Sequence, residues 1–482
     1  MANTFYWHDY ETFGVDARVD RPAEFGGIRT DADLNSIGEP LELYCRLSPD
    51  YLPNPEACCI TGIWPSKSQS LGVCESEFIK RIHQELYVPG TCTVGFNNIQ
   101  FDDEMTRSTL FRNLLDPYAR EYANGNSRWD LLDVLRLART FRPEGLEWPM
   151  DEEGQPTFKL ERLTAANGIP HEGAHTALAD VMATLALAKK LKMAQPRLWE
   201  HSLKTRDKGW VRNEINLAQP QPLIHVSNMF KASLGCFSLV WPLARHPSRN
   251  NEILVWDLRH ESLPFLELDA EALRQRIYTP AIELEANGWK RLPVKTVHLN
   301  RCPIVIRDIR ILTPAIAEKY QLDIASALNI GANLQEQRPF IREVCKAAFS
   351  EYPETVMDPD FSIYGGPFFS DQDRSLFGVV HRTPPAGLGD LVLPFQDPRL
   401  PELFFRYRAR NWPQYLTNDE QNKWKNHCQS RRSNPPHPNL LSVDQFNATL
   451  KNTKDSHPGM ETGLQELDEW VQGLCLGSTA GH

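Results

Sequence analysis

Asp9-Tyr10-Glu11 closes a run of aromatic residues, Phe5-Tyr6-Trp7, that reads as a strand. Residues two apart on a strand point to the same side, so the two carboxylates project together. Anions held side by side repel, and a shared divalent cation relieves them. A third acid, Asp102 in Asn97-Asn98-Ile99-Gln100-Phe101-Asp102, falls where a strand gives way to a helix. A fourth, Asp180, stands five residues after His175 in an Ala/Leu-rich helical stretch, where a core-facing carboxylate is costly unless paired or metal-bound. His175, at or just before the first turn, is placed to reach a neighbouring water. Each signal alone has a plain structural reading: a solvated edge strand for the first pair, a helix N-cap for Asp102, a solvent-facing acid for Asp180 and a loop histidine for His175. His8 points to the other side of its strand and reads as structural, and Asp103 reads as a capping or supporting residue rather than a ligand.

The elements that must position these groups alternate, as in an α/β domain, from residue 5 to about 191. Strands are expected at 5–7, 23–30, 41–47 and 91–96, with helical spacing at Phe78, Ile79, Ile82 and Leu86. Helices are expected at 102–115, 130–141, 159–167, stopped by Gly168, and 176–193. From about 196 to 349, short β-like runs at 252–258, 294–299 and 303–306 suggest a small barrel-like module with some helix after it. Helical patterns follow at 371–377, 401–410 and 419–431, a Pro-rich break at 433–439, and an unstructured end at 477–482.

Composition is that of a soluble globular protein, 41% hydrophobic and 24% charged. The net charge of −10 excludes a uniformly basic surface, so nucleic-acid contact must come from local grooves. The ten cysteines lack zinc-knuckle spacing and suggest reduced thiols. No leader and no apolar run of about 18 residues is found, so the expected place is the cytoplasm, away from any membrane.

Taken together, D-x-E on a first strand, N-x-x-F-D after a later one and H-x-x-x-x-D on a terminal helix resemble the DEDDh class of 3′ to 5′ exonucleases, a branch of the ribonuclease H-like fold. The stretches HDYETFG, DRPAEFGGIRTD, GFNNIQFDDEMTR, NSRWDLLDVLR, PLIHVSNMF and LFFRYRARNWP are similar to the bacterial exonuclease I family over most of the chain. The resemblance implies an exonuclease domain at 1–194, an SH3-like β-barrel domain at 195–350 and a helical C-terminal domain at 351–482, together clasping a single strand of DNA. It implies that Asp9, Glu11, Asp102 and Asp180 hold a pair of Mg²⁺ ions, that His175 is the general base, and that Glu11 with the backbone of Thr12 and Phe13 recognises the 3′-OH. The activity implied is 3′ to 5′ removal of 5′-mononucleotides from single-stranded DNA, in repair and recombination, by a monomer that docks the acidic C-terminal tail of the single-stranded DNA-binding protein.

Proteins grip such strands with cations and aromatic platforms. Candidates are Arg107, Arg128, Trp129, Arg136, Arg139, Arg142 and Trp148. Lys159 stands where the family pattern has an arginine, keeping the charge without the bidentate fork. In the last domain Phe404, Tyr407 and Arg408 share one helical side, with the aromatics read as core, while Arg406 and Arg410 could border the channel. Two other readings stay open: a ribonuclease or proofreading exonuclease with the same ligands, and a non-enzymatic single-strand binding module.

Overall fold

The computed structural model describes residues 4–171, 173, 175–262, 267–349 and 357–476. The expected unstructured end, 477–482, lies outside the described residues. By contact the chain forms two compact units, one of Met1–Ser127, His171–Leu185 and Glu354–His482, the other of Arg128–Pro170 and Ala186–Pro353.

The first unit is built on β1 (Thr4–Thr12), β2 (Pro22–Thr30) and β3 (Ser36–Tyr44), followed by α1 (Pro55–Thr61), α2 (Pro65–Leu71), α3 (Glu75–Leu86), β4 (Thr91–Gly95) and α4 (Asp102–Arg112). Its strands run in the order β3-β2-β1-β4, the first three antiparallel and β4 parallel to β1. β1 is longer than its aromatic run suggested, so Asp9 and Glu11 lie within the strand rather than beyond it. β3 begins five residues earlier than expected because its first half is exposed and carries no apolar signal. β5 (Ser127–Asp130) carries the chain into the second unit, which holds α5 (Leu131–Phe141) and α6 (Leu160–Ala166); α7 (Ala177–Ala194) starts in the first unit and ends in the second.

The last stretch of chain completes the first unit's core. Phe13, Leu47, Cys58 and Ile63 form one buried cluster with Phe446, Leu450, Leu464, Leu467 and Val471. The last five belong to helices Val443–Ser456 and Glu461–Leu476, which the helical patterns did not reach. A signal was present, since Ser442 and Gln445 form a capping box at the start of the first of them.

Fully enclosed ion pairs also join the two ends of the chain. Asp50 accepts from Arg410 at 2.8 Å and Arg431 at 3.1 Å, while Asp360 lies 2.6 Å from Arg431 and 2.9 Å from Arg410. Arg21 approaches both acids and reaches Glu75 at 3.4 Å. Burial alone would raise the pKa of Asp50, but Arg410, Arg21 and Arg431 hold it well below the usual carboxylate range. This arrangement corrects the expectation for Arg406 and Arg410: Arg406 pairs with Asp358 and Glu402, both arginines are buried, and neither borders a channel. Tyr407 is buried with Leu403, and Phe404 packs against that cluster, as the core reading held.

In the second unit, β6 (Leu223–Val226), β7 (Phe237–Arg245), β8 (Glu252–Asp257), β9 (Val294–His298) and β10 (Ile304–Ile306) form an antiparallel sheet in the order β10-β6-β7-β8-β9. It covers a core of Leu223, Val240, Ile253, Val255, Val297 and Val305 with Val211 and Ile215 of a preceding helix. Among the described residues no helix is long and apolar enough to cross a membrane.

Removing one partner of a buried ion network leaves the other charges uncompensated. Asp360→Ala is therefore expected to lower stability by about 3–5 kcal/mol in denaturant unfolding, and a loss under about 1 kcal/mol would show that water replaces the carboxylate.

Candidate active site

The pleat of β1 sends Asp9 and Glu11 to one face and His8 and Tyr10 to the other. The second face is sealed: Tyr10 packs edge-on against Phe25 with ring centroids 5.0 Å apart, in a cluster with Phe78, Leu86 and Met105. His8 is buried there, on the side of the strand away from Asp9, and burial pushes its pKa down to about 4.

Asp102 reaches the site through a turn that its neighbours close. Asn98 accepts from Gly95 N at the end of β4 and gives its carbonyl to Asp103 N, fixing where α4 begins. The parallel pairing of β4 with β1 stops at Trp7↔Val94, and Asp102 Oδ1 takes the Tyr10 backbone N–H at 3.0 Å, between Asp9 and Glu11. Asp102 thus serves β1 instead of its own helix end. Asp103 pairs with the buried Arg120 at 2.7 Å.

The fourth carboxylate arrives on α7, which meets the Asp9 face at Gly26, the cross-strand partner of Asp9. A Cβ on Gly26 would sit 2.4 Å from Leu178 N and 2.5 Å from the Ala177 carbonyl carbon, so only glycine admits the helix at this depth. That approach sets Asp180 in the first turn of α7 over the strand. His175 precedes the helix with φ 69°, a left-handed backbone that a non-glycine residue adopts at some energetic expense. Glu11, His175 and Asp180 each offer a ligand atom within 4.8 Å of the others.

Burial raises the pKa of Asp9 well above its usual value, and Asp102, Asp180, Glu11 and Glu24 add to the rise. Burial likewise pushes Glu11 up to about 8, reinforced by Asp180, Glu24 and Asp102. Carboxylates so crowded must either keep protons or share a cation, and carboxylate oxygens beside a single imidazole suit a hard divalent ion such as Mg²⁺. A second grouping, Asp50, Asp360 and His427, has ligand atoms as close, but guanidinium groups already neutralise it.

Two residues of this site escaped the sequence reading. Glu24 stands directly opposite Glu11 in the β1/β2 ladder and is fully buried. Burial and the nearby Glu42 push its pKa up to about 7. Its signal was a lone acid in the apolar strand PAEFGGI. His171 donates from Nε2 to Asp180 Oδ1 at 2.5 Å; it lies nine residues before that acid, in a turn with no periodic pattern to mark it.

The expected strand-binding residues divide. Arg107 is corrected to a bracing role: it is buried, and its guanidinium is taken up by Glu121 at 2.7 Å through both Nε and Nη2 and by Glu104 at 2.8 Å. The Phe13 backbone is also spoken for, its N–H by Arg21 O and its carbonyl by Asn54 N and Tyr51 Oη. Thr12 Oγ1 donates to Gly14 O, and a register shift between Glu11 and Thr12 precedes the pairing of Thr12 with Pro22. In the second unit, Trp129 is fully buried and donates to Ser202 O, so it is core and not a stacking platform. Arg128 is buried and donates to Asn300 O, Arg139 is buried, Arg136 pairs with Asp133, and Trp148 donates to Pro143 O. Arg142 and Lys159 are exposed, Lys159 at the N-cap of α6.

Three family models match the chain: Exonuclease over residues 6–188, Exonuclease I SH3-like domain over 206–351 and Exonuclease I C-terminal domain over 357–474. The exodeoxyribonuclease I of Escherichia coli (strain K12) is 45% identical over 429 residues, 89% of each chain. A solved exonuclease I from Methylocaldum szegediense superposes with a TM-score of 0.92 at 42% identity, covering 98% of this chain and 99% of that one. The E. coli exonuclease I in complex with a dA16 oligonucleotide superposes with a TM-score of 0.91 at 41% identity, covering 98% of this chain and all of that one.

A carboxyl whose folded pKa exceeds its unfolded one holds its proton better when folded, so it loses stability as pH rises between the two values. For Glu11 that window runs from the usual carboxylate range to about 8, and its upper part lies above the range where histidines titrate. The cation-free protein is expected to melt at lower temperature at about pH 8 than at about pH 7, and saturating Mg²⁺ to raise the melting temperature more at the higher pH. Equal Mg²⁺ shifts at both pH values, or none, would contradict a proton-for-cation exchange.

Proposed function

The chain belongs to the exonuclease I family, and from that membership we propose that it degrades single-stranded DNA from the 3′ end, releasing 5′-mononucleotides. The observation that carries this reading is the meeting of Glu11, His175 and Asp180 within 4.8 Å, beside Asp9 and Asp102. A pair of Mg²⁺ ions held by Asp9, Glu11, Asp102 and Asp180 would supply charge neutralisation at the phosphate and a more acidic water.

His175 accepts a proton from the attacking water. The water oxygen bonds to phosphorus of the last phosphodiester as the bond to the 3′ oxygen of the penultimate nucleotide breaks. That oxygen gains a proton, and the phosphate departs on the 5′ oxygen of the released nucleotide. Glu11 and the backbone at Thr12, beside the register shift, receive the terminal 3′-OH, which restricts attack to an end. The exposed Lys159 and Arg142 are the cations we assign to the strand's phosphates.

Preference for DNA over RNA is supported by the two further regions shared with exonuclease I relatives, in parts assigned to 195–350 and 351–482 beyond the exonuclease part at 1–194. On the same reading the protein works as a cytoplasmic monomer in DNA repair and recombination and docks the acidic tail of the single-stranded DNA-binding protein.

His175→Ala is expected to slow cleavage of a 3′-ended DNA strand about 10²- to 10⁴-fold, and Asp180→Ala to abolish it, with strand binding retained in both. Unchanged rates would favour a binding module. Rapid loss of an RNA strand beside an inert DNA strand would overturn the substrate assignment.

A further inference from the structure

We infer that His171 is a positioning residue for the proposed reaction, holding the Asp180 carboxylate in the orientation that a divalent cation requires. The Nε2 atom of His171 and Oδ1 of Asp180 are 2.5 Å apart, a short charge-assisted distance. The His171 side chain is 7% exposed, and that of Asp180 20%. The imidazole is thus nearly enclosed and presents its donor from a fixed direction.

The need for such a donor follows from where Asp180 sits. An acid in the first turn of a helix is drawn back toward the unpaired backbone N–H groups there and toward the positive end of the helix dipole. At that spot an unsupported Asp180 would divide its time between the helix end and the pocket. It is also repelled by Glu11 and Asp9, whose raised pKa values each include an Asp180 contribution. A hydrogen bond to Oδ1 fixes the plane of the carboxylate against both pulls, keeping it within 4.8 Å of Glu11 and His175 before a cation arrives. Carboxylate ligands supported in this way typically lose 10- to 100-fold in metal affinity when the support is removed. His171 therefore acts through Asp180, whereas His175 faces the substrate water.

The inference rests on the cation-dependent reading of this site, and the test separates the two. Mn²⁺ binding to the full chain without DNA is measured by calorimetry and by the loss of free-ion electron paramagnetic resonance signal, for wild type, His171→Ala, His171→Gln and Asp180→Ala. Expected are about 10- to 100-fold weaker Mn²⁺ binding in His171→Ala and recovery to within a few-fold in His171→Gln, whose amide retains a donor. At saturating Mn²⁺ the cleavage rate of His171→Ala should return to within a few-fold of wild type. Wild-type Mn²⁺ affinity in His171→Ala overturns the inference, as does a His171→Gln variant no better than His171→Ala. Wild-type affinity in Asp180→Ala would instead overturn the cation pocket itself, and with it both readings. A wild-type protein that binds Mn²⁺ through His171-supported Asp180 yet leaves DNA strands intact overturns only the proposed activity.

Discussion

Mutual repulsion among carboxylates on one face of β1 is the constraint around which the first unit is organised. Burial raises the affinity of Asp9 and Glu11 for protons, and the neighbouring Asp102 and Asp180 raise it further. Left to relax, such side chains would rotate apart. They are held because each is anchored by something other than its charge: two by strand register, one by a backbone N–H, and one by a helix seated on a bare glycine. Held in this way, they form a crowded set of acids that a divalent cation would neutralise.

The anchors are backbone features for the most part. The Tyr10 N–H is available to Asp102 because β4 ends at Gly95 and leaves the adjoining edge of β1 open. Gly26 acts by what it lacks, as its missing Cβ sets the depth of α7. On the far face Tyr10, Phe25 and Phe78 prevent the strand from tilting. Neutral His8 lies within that packing, where a protonated imidazole would be expensive to keep.

The residues that meet in the candidate site were legible in the sequence because such chemistry forces particular residue types at particular spacings on regular elements. Asp9 and Glu11 follow the two-residue strand period, and Asp180 falls one turn into an Ala/Leu helix. Glu24 was illegible for a physical reason: its importance comes from strand register, a long-range property that one strand's residues do not contain. His171 sits in an irregular turn, where period carries no information. Charged residues misled in the other direction. Arg107, Arg406 and Arg410 look like phosphate contacts in a nucleic-acid enzyme, yet each is drawn inward by acids distant in sequence or one helical turn away. Trp129 shows the same for rings, since an indole whose N–H finds a carbonyl can be buried entirely.

The enclosed pairing of Asp50 and Arg21 with Asp360, Arg410 and Arg431 bears on how the polypeptide matures. During synthesis the N-terminal sheet leaves the ribosome more than 300 residues before two of the three arginines that neutralise Asp50, judged by sequence separations of 360 and 381. Through that interval Asp50 has Arg21 beside it but lacks Arg410 and Arg431, so its final enclosed environment is incomplete. Closure of the first unit is thereby coupled to completion of the whole chain.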